Sequence, residues 1–357
     1  MRILGIDTSC DDTCISLLEI RNWKLEIKSN VVSSQAELHA KYGGVYPSLA
    51  KREHQKNLPI VLKKATKGID TSKIDFIGAT VGPGLEPCLW QGVNFAKKLA
   101  EDLKLPIIPV NHIEAHILAN FIGEEIKNEK LKIKNYFPAV CLVVSGGHSQ
   151  LILMKGIGKY RLIGETRDDA AGECFDKAAR ILGLGYPGGP ALAIEAAKFK
   201  QKAAINKCTP VQLLIQLPRP MMYTKDYDFS FSGLKTAVLY DFRSRSSKVR
   251  KSKNYIQAMC HEVQQAIIDV LIHKTVRASE DFKAKSIILG GGVAANDELR
   301  KQFKLKIENC KLKIDFLVPP KNFCTDNAAM IAATAYFHQK KARKNWEKIK
   351  VDANLRV

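Results

Sequence analysis

One order of strands and helices occurs twice in this chain, and it narrows the possible folds more than any other feature. Three β-type runs at 3–7, 14–20 and 25–32, separated by polar turns, predict an antiparallel meander. A helical stretch over 48–67 follows, then a strand at 74–81, a helix at 89–103, a strand at 107–110 and a helix at 113–121. The polar run 123–135 breaks this order and reads as a linker. After it the grammar restarts, with strands at 139–145, 150–154 and 160–164. Helices are predicted near 170–182, 191–199, 233–242 and 254–282, followed by a strand at 285–289, a helix at 296–305, a strand at 314–318 and a last helix at 326–341. The expectation is an α/β protein of two lobes, each a central mixed sheet flanked by helices, with a ligand cleft between them. The lobes are expected at 1–135, with 322–357 returning to it, and at 136–321. A chain of 357 residues with 46% hydrophobic composition has material for both cores.

Such duplication occurs in the actin, sugar-kinase and Hsp70-like ATPases, where the first tight turn of each meander approaches nucleotide phosphates. The equivalent turns here are residues 7–13, Asp-Thr-Ser-Cys-Asp-Asp-Thr, and 145–149, Ser-Gly-Gly-His-Ser. Both offer hydroxyls and free N–H groups, and Gly146 and Gly147 let backbone approach an anion without an intervening Cβ. A third candidate is Gly290-Gly291-Gly292 followed by Asn296, between an apolar strand and an amphipathic helix. These glycines leave room for a ring or ribose against the backbone, with Gly291 and Gly292 as the expected contacts, and Asn296 either caps the helix or bonds a ligand. Gly183-x-Gly185-x-x-Gly188 satisfies a dinucleotide pattern on paper, but it follows a helix, so that reading fails.

Chemistry centres on His112-Ile-Glu-Ala-His116. Histidines at i and i+4 share a helical face and can ligate one metal, whereas Glu114 lies about 200° round the helix from His112, which disfavours a zincin-type metalloprotease. The alternative is a pair of satisfied, partly buried imidazoles. Asp326, at the predicted start of the last helix, is the best third ligand, its carboxylate expected to be held by helix N-terminal N–H groups. Two histidines and one carboxylate with open positions suit Fe(II) or Zn(II).

Lys and Arg number 56 against 36 Asp and Glu, a net +20, which points to a polyanion such as nucleic acid, to an acidic membrane surface, or to an ordinary solvated surface. Basic residues concentrate in 243–253 and 340–344. Contact with a nucleic acid there would rest on Arg245, Arg250 and Lys251 above all, with the 340–344 tail as the alternative. No run approaches the ~18 uncharged apolar residues of a membrane span, and residues 1–6 enter a strand directly. No signal peptide, transit peptide or membrane anchor is expected, and the location expected is cytoplasmic. The nine cysteines lack CxxC spacing, as reduced thiols do.

Together, residues 4–13 (Leu-Gly-Ile-Asp-Thr-Ser-Cys-Asp-Asp-Thr), His112-x-x-x-His116, Val143-Val-Ser-Gly-Gly-His148, Ala171-Gly-Glu-Cys-Phe-Asp-Lys177, Tyr186-Pro-Gly-Gly-Pro190, 228–236, 290–296 and Cys324-Thr-Asp-Asn327 resemble the tRNA N6-adenosine threonylcarbamoyltransferase family, in its bacterial form. The resemblance runs in order to about residue 340. It implies the duplicated actin/Hsp70-like ATPase fold and transfer of a threonylcarbamoyl group from threonylcarbamoyl-adenylate to N6 of the adenosine beside the anticodon in tRNAs reading ANN codons, releasing AMP. It implies a divalent metal, Fe2+ or Zn2+, on His112, His116 and Asp326. Val143, Val144, Ser145, Gly146 and Gly147 would line the adenylate phosphate and acyl group, Asp176, Gly189 and Asn296 would hold adenosine and ribose, and Asp11 and Asp12 would lie by the reacting carbonyl. ATP or ADP would fit the same cleft. The implied partners are tRNA, a metal-less paralogous subunit and a small P-loop ATPase, with no membrane. Asp12 stands where the family has Glu, Asp7 replaces a common Glu, and Ala328 stands for a usual Gly. Two other classes are a small-molecule kinase of the same superfamily and a non-catalytic paralogue.

Overall fold

A computed structural model describes residues 1–22, 24–123, 132–206 and 215–357. The first half builds β1 (Arg2–Asp7), β2 (Asp12–Arg21), β3 (Lys24–Ser34), α1 (Ala36–Ala40), α2 (Pro47–Ala65), β4 (Phe76–Gly82), α3 (Glu86–Leu103), β5 (Ile107–Asn111) and α4 (His112–Leu118). A short α5 (Lys132–Asn135) leads to β6 (Ala139–Val144), β7 (Ser149–Gly156), β8 (Lys159–Glu165), α6 (Ala171–Ile181) and α7 (Gly188–Asn206). Then come α8 (Ser232–Ser244), α9 (Ser247–Arg250), α10 (Lys253–Asp281), β9 (Ser286–Gly290), α11 (Asp297–Asn309), β10 (Asp315–Leu317) and α12 (Ala328–Phe337).

The two sheets repeat one topology. Strand order is β3-β2-β1-β4-β5 in one and β8-β7-β6-β9-β10, in the same sense, in the other. In each, the meander is antiparallel and the two later strands run parallel to its first strand. This is the duplicated mixed-sheet architecture expected from the repeated grammar. The central strands β1 and β6 are buried almost throughout, because helices cover both faces.

Helix α12 joins sequence end to sequence start. Its Ala-Ala-Met-Ile-Ala-Ala-Thr-Ala-Tyr run is buried on every side, as a helix apolar all round must be, and it packs on β1, β2 and β4 of the first sheet and on α4. On these contacts we propose that residues 1–135 with 322–357 form one lobe and 136–321 the other. The expected last helix is shorter than 326–341, ending at Phe337 before a 3-10 turn over Gln339–Lys341. Of the linker expected at 123–135, residues 124–131 lie outside the described residues, as does Cys208, and 132–135 form α5. The eight described cysteines are free thiols.

Candidate active site

Helix α4 starts directly at the end of β5. Asn111 caps it, its Oδ1 accepting from Ile113 N at 2.9 Å and Glu114 N at 3.0 Å, so the first turn is fixed. His112 and His116 then share one face, their rings 4.7 Å apart and inclined at 79°. Asp326 reaches them from the segment before α12. Its Oδ1 lies 3.4 Å from His112 Nε2 and 3.3 Å from His116 Nε2, and the three ligand atoms all fall within 4.8 Å. A tetrahedral centre with bonds of about 2.1 Å separates its donors by about 3.4 Å, so this spacing suits a Zn-sized divalent ion.

Burial sharpens the case. His116 Nε2 has no hydrogen-bond partner, and neither His112 Nδ1 nor Asp7 Oδ2, which face each other at 3.5 Å, has one. Buried polar atoms left unpaired cost roughly 1–3 kcal/mol each. A cation on the two Nε2 atoms gives them a partner, and Asp7 then becomes the outer carboxylate that orients His112. Burial by itself would raise the Asp326 carboxyl, yet His112 and His116 hold it well below the usual carboxylate range. Burial likewise opposes charge on His112, but Asp7 and Asp326 push it up to about 10. The cluster favours a positive charge at its centre, and the residues fit a metal ion. The expected role of the helix N-terminus is corrected: Asn327, not Asp326, caps α12 by accepting from Met330 N at 3.1 Å, which leaves Asp326 free to face the histidines. Ala328 is fully buried as the first residue of that helix.

Glu114 points elsewhere. Its Oε1 accepts from Tyr160 Oη at 2.8 Å and lies 2.7 Å from His338 Nε2, tying α4 to β8 and to the end of α12. It has no part in a metalloprotease arrangement.

His112 and Asp326 open into a cleft of ≈ 790 Å³. Its walls are the two expected turns, Ser9 to Asp12 and Ser145 to His148, together with Gly292. A Cβ added at Gly146 or Gly147 meets nothing within 4 Å, so the turn faces open space. Ser145 N is bonded to His148 O at 2.8 Å, which closes the turn tightly. Gly147→Val is expected to leave the melting temperature unchanged while weakening adenylate or AMP binding by about 10- to 100-fold, the worth of one lost hydrogen bond to a charged group, as measured by calorimetry. Unchanged affinity would remove this turn from the ligand site.

Asp11 and Asp12 both line the cleft. Burial above all, then the charges of Asp326, Asp11 and Asp7, pushes Asp12 up to about 7, and burial raises Asp11 as well. Asp12 is the first residue of β2 and not a turn residue. His148 is pushed down to about 4 by burial, then by His112 and His116, and is neutral at physiological pH. Asp176 also lines the cleft. Its Oδ1 accepts from Gly188 N at 2.8 Å and Gly189 N at 3.1 Å; Gly189 itself does not line the cleft.

Four expectations for this site change. Val143 and Val144 are fully buried in the central strand β6, and the wall starts only at Ser145. Asn296 is the N-cap of α11: its Oδ1 accepts from Leu299 N at 3.0 Å and its Nδ2 donates to Gln264 Oε1 at 2.9 Å, which commits both ends of the amide within the fold. Gly291 does not face the cleft. It has φ +86°, and a Cβ there would collide with the backbone carbonyl of Val144, whereas Gly292 opens to the cleft with only Thr325 Cγ2 near, at 3.9 Å. The 243–253 segment is not a plain polar loop but contains α9. Arg245 pairs with Asp241 at 2.7 Å and Arg250 lies over Phe242, so two of its three expected contact residues are engaged within the fold.

Sequence reading passed over other wall residues. Glu173, Lys177 and Arg180 line the cleft on the face of α6 that carries Asp176, a polar i, i+3, i+4, i+7 set on a helix whose other side is core. Lys177 is held by Asp169 and Glu173, at 2.8 Å each. Gly43, Gly44, Pro83 and Gly84 enter from loops that carry no periodic signal.

Comparison with known proteins matches residues 26–333 to the model of the family described as tRNA N6-adenosine threonylcarbamoyltransferase. A protein of that name from Thermosipho africanus (strain TCF52B) is 44% identical over 359 residues, covering 100% of both chains. Another, from Anoxybacillus flavithermus (strain DSM 21510 / WK1), is 42% identical over 348 residues, covering 96% of this chain and 93% of its own. Among solved structures, T. kodakarensis HypF aligns with TM-score 0.53 and 13% identity over 97% of this chain and 48% of its own. Component A of Acidaminococcus fermentans (R)-2-hydroxyglutaryl-CoA dehydratase aligns with TM-score 0.51 and 15% identity over 96% and 99%. These two likenesses concern fold alone.

Proposed function

The chain belongs to the tRNA N6-adenosine threonylcarbamoyltransferase family, and from that premise we propose how its cleft transfers a threonylcarbamoyl group to N6 of a tRNA adenosine. The observation that carries the proposal is the His112, His116 and Asp326 donor set opening into the same cleft as the Gly146-Gly147 turn. The donor is threonylcarbamoyl-adenylate, and the acceptor is the adenosine beside the anticodon in tRNAs reading ANN codons. N6 forms a bond to the carbamoyl carbon, the bond from that carbon to the adenylate phosphate oxygen breaks, AMP leaves, and N6 gives up one proton.

Each group in the cleft has a physical task in that step. Ser145, whose backbone closes the turn, sets Gly146 and Gly147 to present theirs to the adenylate phosphate, and Asp176, steadied by two N–H groups, has its second oxygen for a ribose hydroxyl. Asp12, raised to about 7, suits the proton released by N6, with Asp11 beside it. Bound between His112, His116 and Asp326, Fe(II) or Zn(II) would act as a Lewis acid on the acyl oxygens. Asp7 keeps the His112 ring turned towards that position. Arg180 adds positive charge to the cleft wall, while Lys177 is balanced by Asp169 and Glu173.

No helix among the described residues is long and apolar enough to cross a membrane. We place the protein in the cytoplasm, working with a metal-less paralogous subunit and a small P-loop ATPase. The test is incubation of the metal-loaded chain and these helpers with tRNA transcript, ATP, threonine, bicarbonate and the adenylate-forming enzyme, followed by nucleoside mass analysis. Threonylcarbamoyladenosine in the digest is expected. Phosphorylation of a small substrate without any tRNA product would favour the kinase class instead.

A further inference from the structure

Behind α4 lies a second cavity, of ≈ 460 Å³, lined by Lys341, Arg343, Lys348, Lys350 and Arg356. Its floor holds Glu114 and Tyr160, and Glu114 is already committed to Tyr160 and His338. Arg356 pairs with Glu165 at 3.2 Å, but the other four cations have no ion-pair partner among the described residues. Like charges converging on one cavity repel, and although water and salt screen exposed groups, an anion placed among them gains from all of them at once.

The backbone that carries the cations is anchored before any ligand arrives. Residues 343–357 form a strap across the first lobe: Arg343 bridges to Ile107 by N–H···O bonds of 2.8 and 3.0 Å, and Trp346 Nε1 donates to Leu105 O at 3.0 Å. Ile349 is buried, Asp352 N donates to Val81 O at 2.8 Å, and Asn111 Nδ2 donates to Arg356 O at 3.2 Å. A backbone ordered in advance loses less entropy on binding than a loose tail does, although the exposed Lys and Arg side chains still have to be ordered.

The strap and α4 each serve both cavities. Ala353 and His112 face the reaction cleft, while Lys350, Arg356 and Glu114 face the basic cavity. Lys350 and Arg356 each lie three residues from Ala353, at most about 11 Å along the chain. We propose that this cavity binds the phosphates of the tRNA strand next to the target adenosine, so that the strap guides the backbone while the base reaches the cleft. The inference rests on the proposed function for its ligand, and it assigns that ligand's backbone to residues outside the cleft. Phosphate chemistry is shared by free polyphosphates, so the test separates the two sources.

The experiment compares the full chain with the triple variant Arg343→Gln, Lys348→Gln, Lys350→Gln, all exposed positions with backbone anchoring retained. Binding of tRNA transcript and of inorganic tripolyphosphate is measured from 50 to 200 mM salt, and modification is followed in the reconstituted system. The variant is expected to bind tRNA on the order of 10- to 100-fold more weakly, with a salt slope smaller by about 2 to 3. Its rate at saturating tRNA and its adenylate affinity should match the parent. If the parent modifies tRNA but the variant keeps parental tRNA affinity and slope, the inference falls and the function stands. Loss of tripolyphosphate binding with an unaltered tRNA slope would also overturn it, assigning the cavity to a free polyanion. If the parent modifies no tRNA, the functional reading falls first and this inference with it.

Discussion

Replacing His112 by alanine is expected to strip the purified protein of its divalent metal and to lower threonylcarbamoyl transfer by about 1,000-fold or more, with the melting temperature close to the parent's apo form. Neither nearby carboxylate beside the histidines can replace the lost ligand, since Glu114 is tied to Tyr160 and His338 and Asp7 faces the far nitrogen of His112. Two remaining ligands hold an ion weakly, and a Lewis acid contributes several kcal/mol to the transition state, at about 1.36 kcal/mol per decade. Asp7→Asn makes a graded control. It keeps all three ligands but weakens the orientation of His112, so metal affinity is expected to fall about 10- to 100-fold and to be recovered by added metal. Metal content by plasma mass spectrometry and transfer by nucleoside analysis read both variants. Full metal occupancy in His112→Ala would sink the three-ligand site, and equal losses in the two variants would show that the histidine acts structurally.

The repeated strand and helix grammar was readable because β-type alternation and helical periodicity are set by which faces are buried, and the two sheets bury theirs in the same way. The His112, His116 and Asp326 set was readable as residue types at a spacing. What sequence could not give was which of two adjacent polar residues does what. Asp326 and Asn327 both suit a helix N-terminus, and only the fold shows that Asn327 caps while Asp326 turns inward. Asn296 was open between cap and ligand, and it caps. The return of 322–357 to the first lobe was expected, but the course of 343–357 as a strap was not legible, because backbone bonds and single anchors such as Trp346 and Ile349 hold it, without a repeating apolar face. Gly43, Gly44, Pro83 and Gly84 reach the cleft through long-range folding, to which local pattern is blind.

The glycine run 290–292 shows the same limit, and its test has a large expected effect. Gly291→Val should destabilise the whole fold, by more than about 3 kcal/mol, and lower the melting temperature by roughly 4 °C or more. Two costs combine. At φ +86° a β-branched residue is strained by about 1–3 kcal/mol. Its Cβ would also fall 2.7 Å from the carbonyl carbon of Val144, in the central strand β6, where no flexible side chain can give way. Gly292→Val differs by one position and by geometry: its φ is ordinary, its nearest neighbour is Thr325 Cγ2 at 3.9 Å, and it faces the cleft. There the melting temperature should change little while affinity for AMP or adenylate falls. Thermal unfolding and calorimetric titration of both variants decide the matter. A Gly291→Val protein with the parent's melting temperature and impaired nucleotide binding would restore that glycine to the ligand site and discard its role in the close approach of β6 and the 290–292 turn.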